Sequence, residues 1–374
     1  MTVEELVLQG PPEEPPPPPD PPHRWSARAR WAAAVVTVIV VGLVTAALLV
    51  KLPYYTLSPG SARATESLIS VEGAPTYESD GNIDFLTVSL RHATSVELLA
   101  AWLNPSVDVR SEEELFGDQT PAENRQANVQ MMSNSKDSAT YQALTRLGYD
   151  IPASGTGAGV LKVEPGSPVD GFLEAGDVIV SVNGQPVEVA SDFTNAVASE
   201  PPGSTISMEV TSFEGSDERR TVEVTLGARP DDPTKGFLGV VLGTRDLTFD
   251  FPVDVTIDSG RVVGPSAGLA FTLGLLDVMT PGSLTGGLSV ATTGTMMLDG
   301  TVGQVGGVPQ KVETAKRQGV SLMLVPAKEL DEARIYADGL RIEPVDDLDD
   351  ALAVLATVGG GDAVLPADPT PPVG

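Results

Sequence analysis

The longest hydrophobic stretch of the chain is an uncharged run at residues 32–50. At about 1.5 Å per helical residue it nearly spans a hydrocarbon core of roughly 30 Å, so it predicts one transmembrane helix over residues 31–52. Arg24, Arg28 and Arg30 precede the run and only Lys51 directly follows it, which predicts a cytoplasmic N-terminus and an extracytoplasmic remainder. A cleaved signal peptide is the alternative, but its apolar region is usually only about 7 to 15 residues long.

Hydrophobic and polar residues alternate after this run and predict a mixed segment over residues 65–150. Strands are predicted at 68–71 and 83–88, separated by a Gly-Asn turn at 81–82. Helical spacing follows at 95–103 and at 127–147, where the second helix ends at Gly148. The intervening residues are polar and are predicted to be partly loop.

Residues 154–227 have the pattern of a compact β-rich domain. An apolar strand at 178–182 leads into Asn183-Gly184, a pair that favours a type I′ turn. Ser191 is placed to cap a short helix, which prolines end shortly afterwards. Two alternating strands are then predicted to pair around a turn at Gly215.

Strand and helix patterns alternate through residues 236–356, which predicts an α/β domain. Strands are predicted at 253–257, 288–293 and 321–325, and helices at 266–279, 309–318 and 327–336. The chain as a whole is predicted to be α+β, with one N-terminal transmembrane helix, a β-rich domain and this α/β domain. Residues 1–30 and 357–374 are predicted to be disordered tails, because their composition offers little apolar surface to bury.

Composition narrows the function classes. The net charge of −28 would repel a nucleic-acid backbone, so nucleic acid is not an expected partner. The chain has no cysteine, which excludes disulfides and thiol catalysis, and its two histidines form no metal-ligand motif. It also has no Gly-Lys dipeptide, and therefore no phosphate-binding loop of the Walker A kind. Neither a metal, a cofactor nor ATP is expected.

Two motifs in the α/β region carry candidate chemistry. Ser266 lies in a Gly-Pro-Ser-Ala-Gly segment, where small neighbours admit a substrate backbone and the N–H groups of a helix start can bind an oxyanion. Lys311 follows a Gly-Gly pair in an apolar context, and a lysine kept neutral by burial can act as a base. Taken singly, each has a simpler interpretation, a capped glycine-rich loop and a surface lysine.

The β-rich region resembles a bacterial PDZ domain. Its Ser-Pro at 167–168, Ala-Gly-Asp-Val-Ile at 175–179 and Asn-Gly at 183–184 occur in that family's order. PDZ domains bind extended peptides along an exposed sheet edge. The resemblance implies that the glycine-rich segment at 155–160 supplies the edge and the carboxylate-binding loop, with Gly157, Gly159 and Val160 as peptide-binding residues. A dinucleotide fingerprint fails because Val160 stands where the last glycine is required, and a small β domain without a ligand is the remaining alternative.

The serine and lysine motifs together resemble the proteolytic domain of Lon proteases, the serine/lysine peptidases. A Thr-Gly pair at 293–294 and the glycine-rich approach at 301–307 lie between them in the family's order. The resemblance implies that Ser266 is the nucleophile, that Lys311 is the general base and that Thr293 orients the lysine. The supporting residues it implies around the serine are Gly264, Ala267 and Gly268.

The sequence departs from the Lon family pattern at two positions and resembles it in a further region upstream. Val263 and Thr295 stand where the family often has acids, which would weaken a secondary charge network around the site. Residues 83–88, followed by Met131-Met132-Ser133-Asn134-Ser135 and Ala139, are similar to the early strand and the Met-x-x-Ser helix of the Lon proteolytic domain. If that similarity holds, the PDZ region is inserted within the protease domain.

These resemblances imply a membrane-anchored, ATP-independent serine endopeptidase that cleaves unstructured segments of membrane or exported proteins, with the PDZ domain selecting substrates. A homo-oligomer is expected only because Lon domains commonly form rings. The alternative is a non-catalytic PDZ adapter on a decayed protease scaffold. A third hypothesis is a histidine-based serine hydrolase. Only His92 could then act with Ser266, since His23 precedes the membrane segment. The natural substrate and the cleavage preference stay open.

Overall fold

The computed structural model describes residues 26–117, 119–212, 219–229 and 232–360. The helices are α1 (Ala27–Leu49), α2 (Ser95–Trp102), α3 (Glu112–Phe116), α4 (Pro121–Arg146), α5 (Ala190–Ser199), α6 (Gly268–Met279), α7 (Val308–Gln318), α8 (Leu330–Tyr336) and α9 (Leu348–Ala356). Single 3₁₀ turns lie at Glu66–Leu68 and Ala327–Glu329.

The strands lie between these helices along the chain. They are β1 (Lys51–Ala64), β2 (Ile69–Glu72), β3 (Asn82–Thr94), β4 (Asp108–Ser111), β5 (Ala153–Ser154), β6 (Ala158–Val163), β7 (Asp177–Val182), β8 (Gln185–Pro186), β9 (Thr205–Ser212), β10 (Arg220–Thr225), β11 (Gly227–Ala228), β12 (Gly236–Phe237), β13 (Val240–Thr244), β14 (Thr248–Phe249), β15 (Asp254–Ile257), β16 (Ser289–Thr292), β17 (Thr295–Met296), β18 (Val302–Gly303), β19 (Leu322–Pro326) and β20 (Arg341–Val345). The predicted tails lie wholly or mostly outside the described residues, and so does the predicted turn at Gly215.

The larger sheet has the strand order β20-β19-β16-β3-β1-β4. Strands β3, β16, β19 and β20 are parallel, whereas β1 pairs antiparallel with both β3 and β4. Neighbouring residues of a strand point to opposite faces. Phe85 therefore packs in one core with α4, α6 and α9, and Leu86 packs in a second core with α7 and α8. Helices thus cover both faces of this sheet.

The smaller sheet has the order β10-β9-β7-β6-β13, and α5 packs on its core. Its strands come from one continuous part of the chain. The larger sheet takes β1, β3 and β4 from before that part and β16, β19 and β20 from after it. The smaller sheet is therefore an insertion in the chain that forms the larger sheet.

The predicted domain boundaries at 227 and 236 need correction. Strand β13 pairs antiparallel with β6, from Val240 opposite Val163 to Thr244 opposite Ala158. This strand belongs to the smaller sheet although it lies after both predicted boundaries. The sequence pattern missed it because the short strand follows a glycine-rich segment and none of its residues is buried.

Three further differences lie before the smaller sheet. Helix α1 begins at Ala27, four residues earlier than predicted, and β1 follows it almost directly. Strand β1 was not predicted because it contains prolines, which the structure accommodates beside two irregularities in its pairing with β3. The segment at 104–126, predicted to be partly loop, contains β4, α3 and the first turn of α4, which Thr120 and Glu123 cap reciprocally.

Candidate active site and peptide groove

Ser266 lies in the turn that leads into α6, and its side chain is half-buried. Two contacts hold this turn against α4: the Gly264 N–H donates to the Asn128 carbonyl at 3.0 Å, and the Ser135 hydroxyl donates to the Pro265 carbonyl at 3.0 Å. Gly264 has φ +96°, a conformation that favours glycine. These contacts fix the turn that carries the Ser266 hydroxyl at the start of α6.

The backbone around Ser266 is tied to the Thr-Gly segment. The Gly294 N–H donates to the Ser266 carbonyl at 3.1 Å, and the Leu269 N–H donates to the Gly294 carbonyl at 3.1 Å. A Cβ on Gly268 would lie 2.5 Å from the backbone nitrogen of Met296, so only glycine permits this close approach.

The amide groups of this turn can stabilise a developing negative charge. Within the described part of the chain, the N–H groups of Ser266 and Ala267 have no hydrogen-bond acceptor. Such unpaired donors at a helix start are suited to an oxyanion. Gly264, Ala267 and Gly268, the predicted supporting residues, therefore all lie in one turn beside the serine.

Lys311 lies in the first turn of α7 and is 3% exposed. Its Nζ donates to Thr293 Oγ1 at 3.0 Å, and the same hydroxyl donates to the Ser266 carbonyl at 3.4 Å. Burial lowers the pKa of Lys311 from 10.5 to about 8, and the nearby carboxylate of Glu329 opposes that decrease. Thr293, which is fully buried, therefore joins the lysine to the serine turn.

Ser266 and Lys311 line one cavity of about 930 Å³, which we call the dyad cavity. Strands β1 and β3 line one side of it and α4 another. Charged side chains on its wall are Arg91, Arg125, Arg261 and Lys311. No hydrogen bond joins Ser266 Oγ to Lys311 Nζ among the described residues. His92 is not on this wall, and its ring stacks on Tyr55 with centroids 4.7 Å apart.

Glu329 is a site residue that the sequence did not reveal. It lies in the 3₁₀ turn after β19 and is 7% exposed. Its Oε1 accepts the Val305 N–H at 2.7 Å, in the glycine-rich approach to Lys311, while its buried Oε2 has no hydrogen-bond partner. Burial raises the pKa of this carboxyl, and the lysine partly offsets the increase. Its separation from Lys311 in sequence leaves no local pattern that would mark it.

A second cavity, of about 210 Å³, lies between α5 and β13, and we call it the peptide groove. Its apolar wall includes Phe193, Val197, Leu238, Val240 and Leu242. Strand β13 is the terminal strand of the smaller sheet and leaves one edge towards this groove.

The structure does not place the predicted peptide-binding residues Gly157, Gly159 and Val160 at an open sheet edge. Strand β6, which contains Gly159 and Val160, pairs with β7 on one side and with β13 on the other, so it has no open edge. None of the three residues lines the groove. The signal that marks the groove is the Gly-Phe-Leu-Gly segment at 236–239, directly before β13. Gly239 has φ +75°, and a side chain there would collide with Ser167.

Family models match both regions. Residues 248–357 match the model of the Lon protease (S16) C-terminal proteolytic domain, and residues 123–226 match a PDZ domain model. The second match begins inside α4, before the smaller sheet, and ends before β13.

The curated relatives fall into two groups, Lon proteases and DegP-like endoproteases. Lon protease 2 of Bacillus subtilis (strain 168) is 30% identical over 122 residues, which cover 33% of this chain and 19% of the relative. The Lon protease of Desulforamulus reducens is 28% identical over 174 residues, covering 43% and 21%. A "Probable periplasmic serine endoprotease DegP-like" of Pseudomonas savastanoi pv. phaseolicola is 37% identical over 97 residues, covering 26% and 19%.

The chain thus spans less than a third of the length of these relatives. The shared parts are domains rather than whole proteins. The family-model matches at 248–357 and 123–226 include Ser266, Thr293 and Lys311 in the first case and most of the smaller sheet in the second. The chain therefore carries a Lon-type (S16) proteolytic domain together with a PDZ domain.

Proposed function

We propose that this protein is a membrane-anchored, ATP-independent serine endopeptidase in which Ser266 is the nucleophile and Lys311 the general base. The observation that carries the proposal is the buried lysine, hydrogen-bonded to Thr293 and lining the same cavity as Ser266. A lysine with a pKa of about 8 is neutral in about one molecule in ten at pH 7, enough to accept a proton.

The reaction proceeds in two halves. Ser266 Oγ attacks the scissile carbonyl while Lys311 Nζ takes the hydroxyl proton, and the oxyanion accepts hydrogen bonds from the N–H groups of Ser266 and Ala267. Lys311 then returns the proton to the departing amine, leaving an acyl-enzyme. Water, deprotonated by the same lysine, hydrolyses that ester and restores Ser266. Ser266 Oγ and Lys311 Nζ share no hydrogen bond among the described residues, which agrees with this scheme because such contacts often tighten only when substrate binds.

The membrane anchor in this proposal is α1. It has 23 residues, none of them buried, and it is the described helix that is long and apolar enough to cross a membrane. Arg28 and Arg30 lie in its first turns and support a cytoplasmic N-terminus. The catalytic region would then face away from cytoplasmic ATP. Substrates would be unstructured segments of membrane or exported proteins, captured in part by the peptide groove.

A non-catalytic PDZ adapter is the second candidate. Val263 and Thr295 favour it, because neither supplies the acid that many Lon domains carry there. In this case the peptide groove would bind ligands that the dyad cavity never cleaves.

The direct test uses the full chain in detergent micelles or nanodiscs with a fluorescently labelled, unfolded protein substrate. We expect cleavage without ATP, and a loss of at least about 10³-fold in kcat/KM for Ser266→Ala and for Lys311→Ala. Lys316→Ala is the matched control, because this lysine lies in the same helix but pairs with Glu313. Peptide binding by all variants without any turnover would establish the adapter instead.

A further inference from the structure

Helix α2 presents its apolar side to the outside of the molecule. Leu99 is 62% exposed, Trp102 is 81% exposed and Leu103, the residue that ends the helix, is 70% exposed. With Val96, at 42%, they occupy one side of the helix, because their spacing of three and four residues follows its turns. Surface helices normally direct this kind of face towards a core.

The inward side of α2 carries a small residue, and the one acidic side chain of the helix is bonded away from the apolar face. Ala101 is buried against the protein. Glu97, the helix's charged residue, accepts the Thr94 N–H at 2.8 Å and the Thr94 hydroxyl at 3.0 Å in a capping box. Its carboxylate is therefore held at the helix start. The outer face has no charge of its own, which suits contact with a large apolar phase.

The position of α2 identifies that phase. The proposed membrane span α1 ends at Leu49, and Lys51 is the first residue of β1. Lys51 pairs directly with Thr94, the residue that caps α2. Paired residues of antiparallel strands lie about 5 Å apart, so α2 starts beside the point where α1 ends. The two helices also contact each other.

We propose that α2 lies in the lipid interface, with Leu99, Trp102 and Leu103 inserted at the boundary between headgroups and acyl chains. This inference rests on the proposed anchoring through α1. Tryptophan is enriched at this depth of a bilayer, and interfacial helices bury their apolar faces by roughly 5–10 Å. A helix of this length extends about 12 Å, enough to rest along the surface.

A second attachment point fixes how the larger sheet is oriented towards the bilayer. Tyr55, four residues after Lys51 on β1, lines the dyad cavity. At about 3.3 Å per residue, this part of the cavity lies roughly 13 Å along the strand from Lys51, the first residue of β1. The cavity is then close to the surface where the chain of a membrane-protein substrate emerges.

The test measures where Trp102 lies, using the full chain in proteoliposomes. The chain has three tryptophans, so Trp25→Phe with Trp31→Phe leaves Trp102 as the sole fluorophore. Adding Trp102→Phe and Ile335→Trp gives the control, a residue that is 76% exposed on α8, the helix that packs against β20. We expect phosphatidylcholine brominated near the headgroup end of its chains to quench Trp102, and aqueous iodide to quench it at least about threefold less than the control.

Flotation of the same proteoliposomes separates the two proposals. If the protein floats but Trp102 behaves like the Ile335→Trp control, the anchor stands and the interfacial placement of α2 is overturned. If Trp102 is shielded from both iodide and brominated lipid, a second protein copy covers the face and the lipid assignment fails. If the protein does not float, both the anchor and the inference built on it fail.

Discussion

The dyad cavity and the peptide groove are built in opposite ways. Ser266, Thr293 and Lys311 come from three separate segments, and their cavity is completed by β1 and β3 from before the inserted sheet. The peptide groove forms within a single stretch of chain, from α5 to β13. One site therefore depends on the assembly of the whole larger domain, whereas the other depends only on a local fold.

Their chemistry differs as much as their construction. The dyad cavity contains a buried amine, and a buried amine is stable only when its donors find acceptors and its charge can be given up. The groove has an apolar wall and an open strand edge, which suit a peptide backbone with one apolar side chain. Substitutions in the dyad cavity should therefore change the rate of cleavage, and substitutions in the peptide groove should change the affinity for peptide.

Thr293→Val should produce the largest difference between the two sites. Valine keeps the shape of threonine but removes the acceptor of Lys311 Nζ and the donor to the Ser266 carbonyl. We expect kcat to decrease by about 10²-fold or more, because the base loses its orientation. Affinity of the groove for a fluorescent C-terminal peptide, measured by anisotropy, should stay unchanged.

Thr293→Ser is the control, because it restores the hydroxyl and should recover most of the activity. Circular dichroism melting of both variants checks that the fold survives. Equal activity of the valine and serine variants would mean that Thr293 merely packs in the core. A parallel loss of peptide binding would show instead that the two sites are not independent.

The sequence could single out Ser266 and Lys311 because they lie in short, unusual segments. Gly-Pro-Ser-Ala-Gly and Gly-Gly stand at helix starts, where the need for small residues is visible in sequence, and the structure places both on one cavity. Elements with regular periodicity, such as α6 and α7, were also predicted within two residues of their ends.

Features that depend on pairing partners could not be predicted in this way. Whether β6 is an edge depends on β13, some 80 positions later in the chain, and no local pattern contains that information. Strand β1 escaped because its prolines argue against a strand unless its bulges are known. Glu329 follows β19 and Thr293 follows β16, and the parallel pairing of these two strands is a long-range contact that no local pattern contains.

A smaller effect is expected from filling the groove. Ala198 lines it from α5 and is half-buried, so Ala198→Trp places a large ring in the space for the peptide. We expect about a tenfold weaker peptide affinity and a similar rise in KM for substrates that use the groove, with kcat unchanged, since binding remote from the reacting bond mainly alters KM.

Asn195→Trp is the matched control, because Asn195 is exposed on the same helix and does not line the groove. It should bind peptide like the parent protein. Two results would contradict the assignment: equal weakening by both tryptophan variants, or a decrease in kcat for Ala198→Trp with no change in KM.

The smallest expected effect is a change in pH dependence, which should appear in kcat/KM but not in peptide binding. Because Lys311 acts when deprotonated, kcat/KM should rise with pH and level off above its pKa of about 8. The carboxylate of Glu329 raises that pKa, so Glu329→Gln should lower it and shift the rise to more acid pH. A shift of about half a unit to one unit would increase activity at pH 7 roughly two- to fivefold, since more lysine is neutral. The glutamine oxygen can still accept the Val305 N–H.

Glu332→Gln is the control, an exposed acid nearby whose removal should leave the profile almost unchanged. Peptide binding in the groove should be flat from pH 6 to 9, because its lining residues include no group that titrates there. A rise in kcat/KM that keeps its midpoint in Glu329→Gln would show that the carboxylate serves only to hold Val305. A profile independent of pH across this range would remove Lys311 as the base, because the neutral fraction of a lysine with a pKa of about 8 must rise over this window.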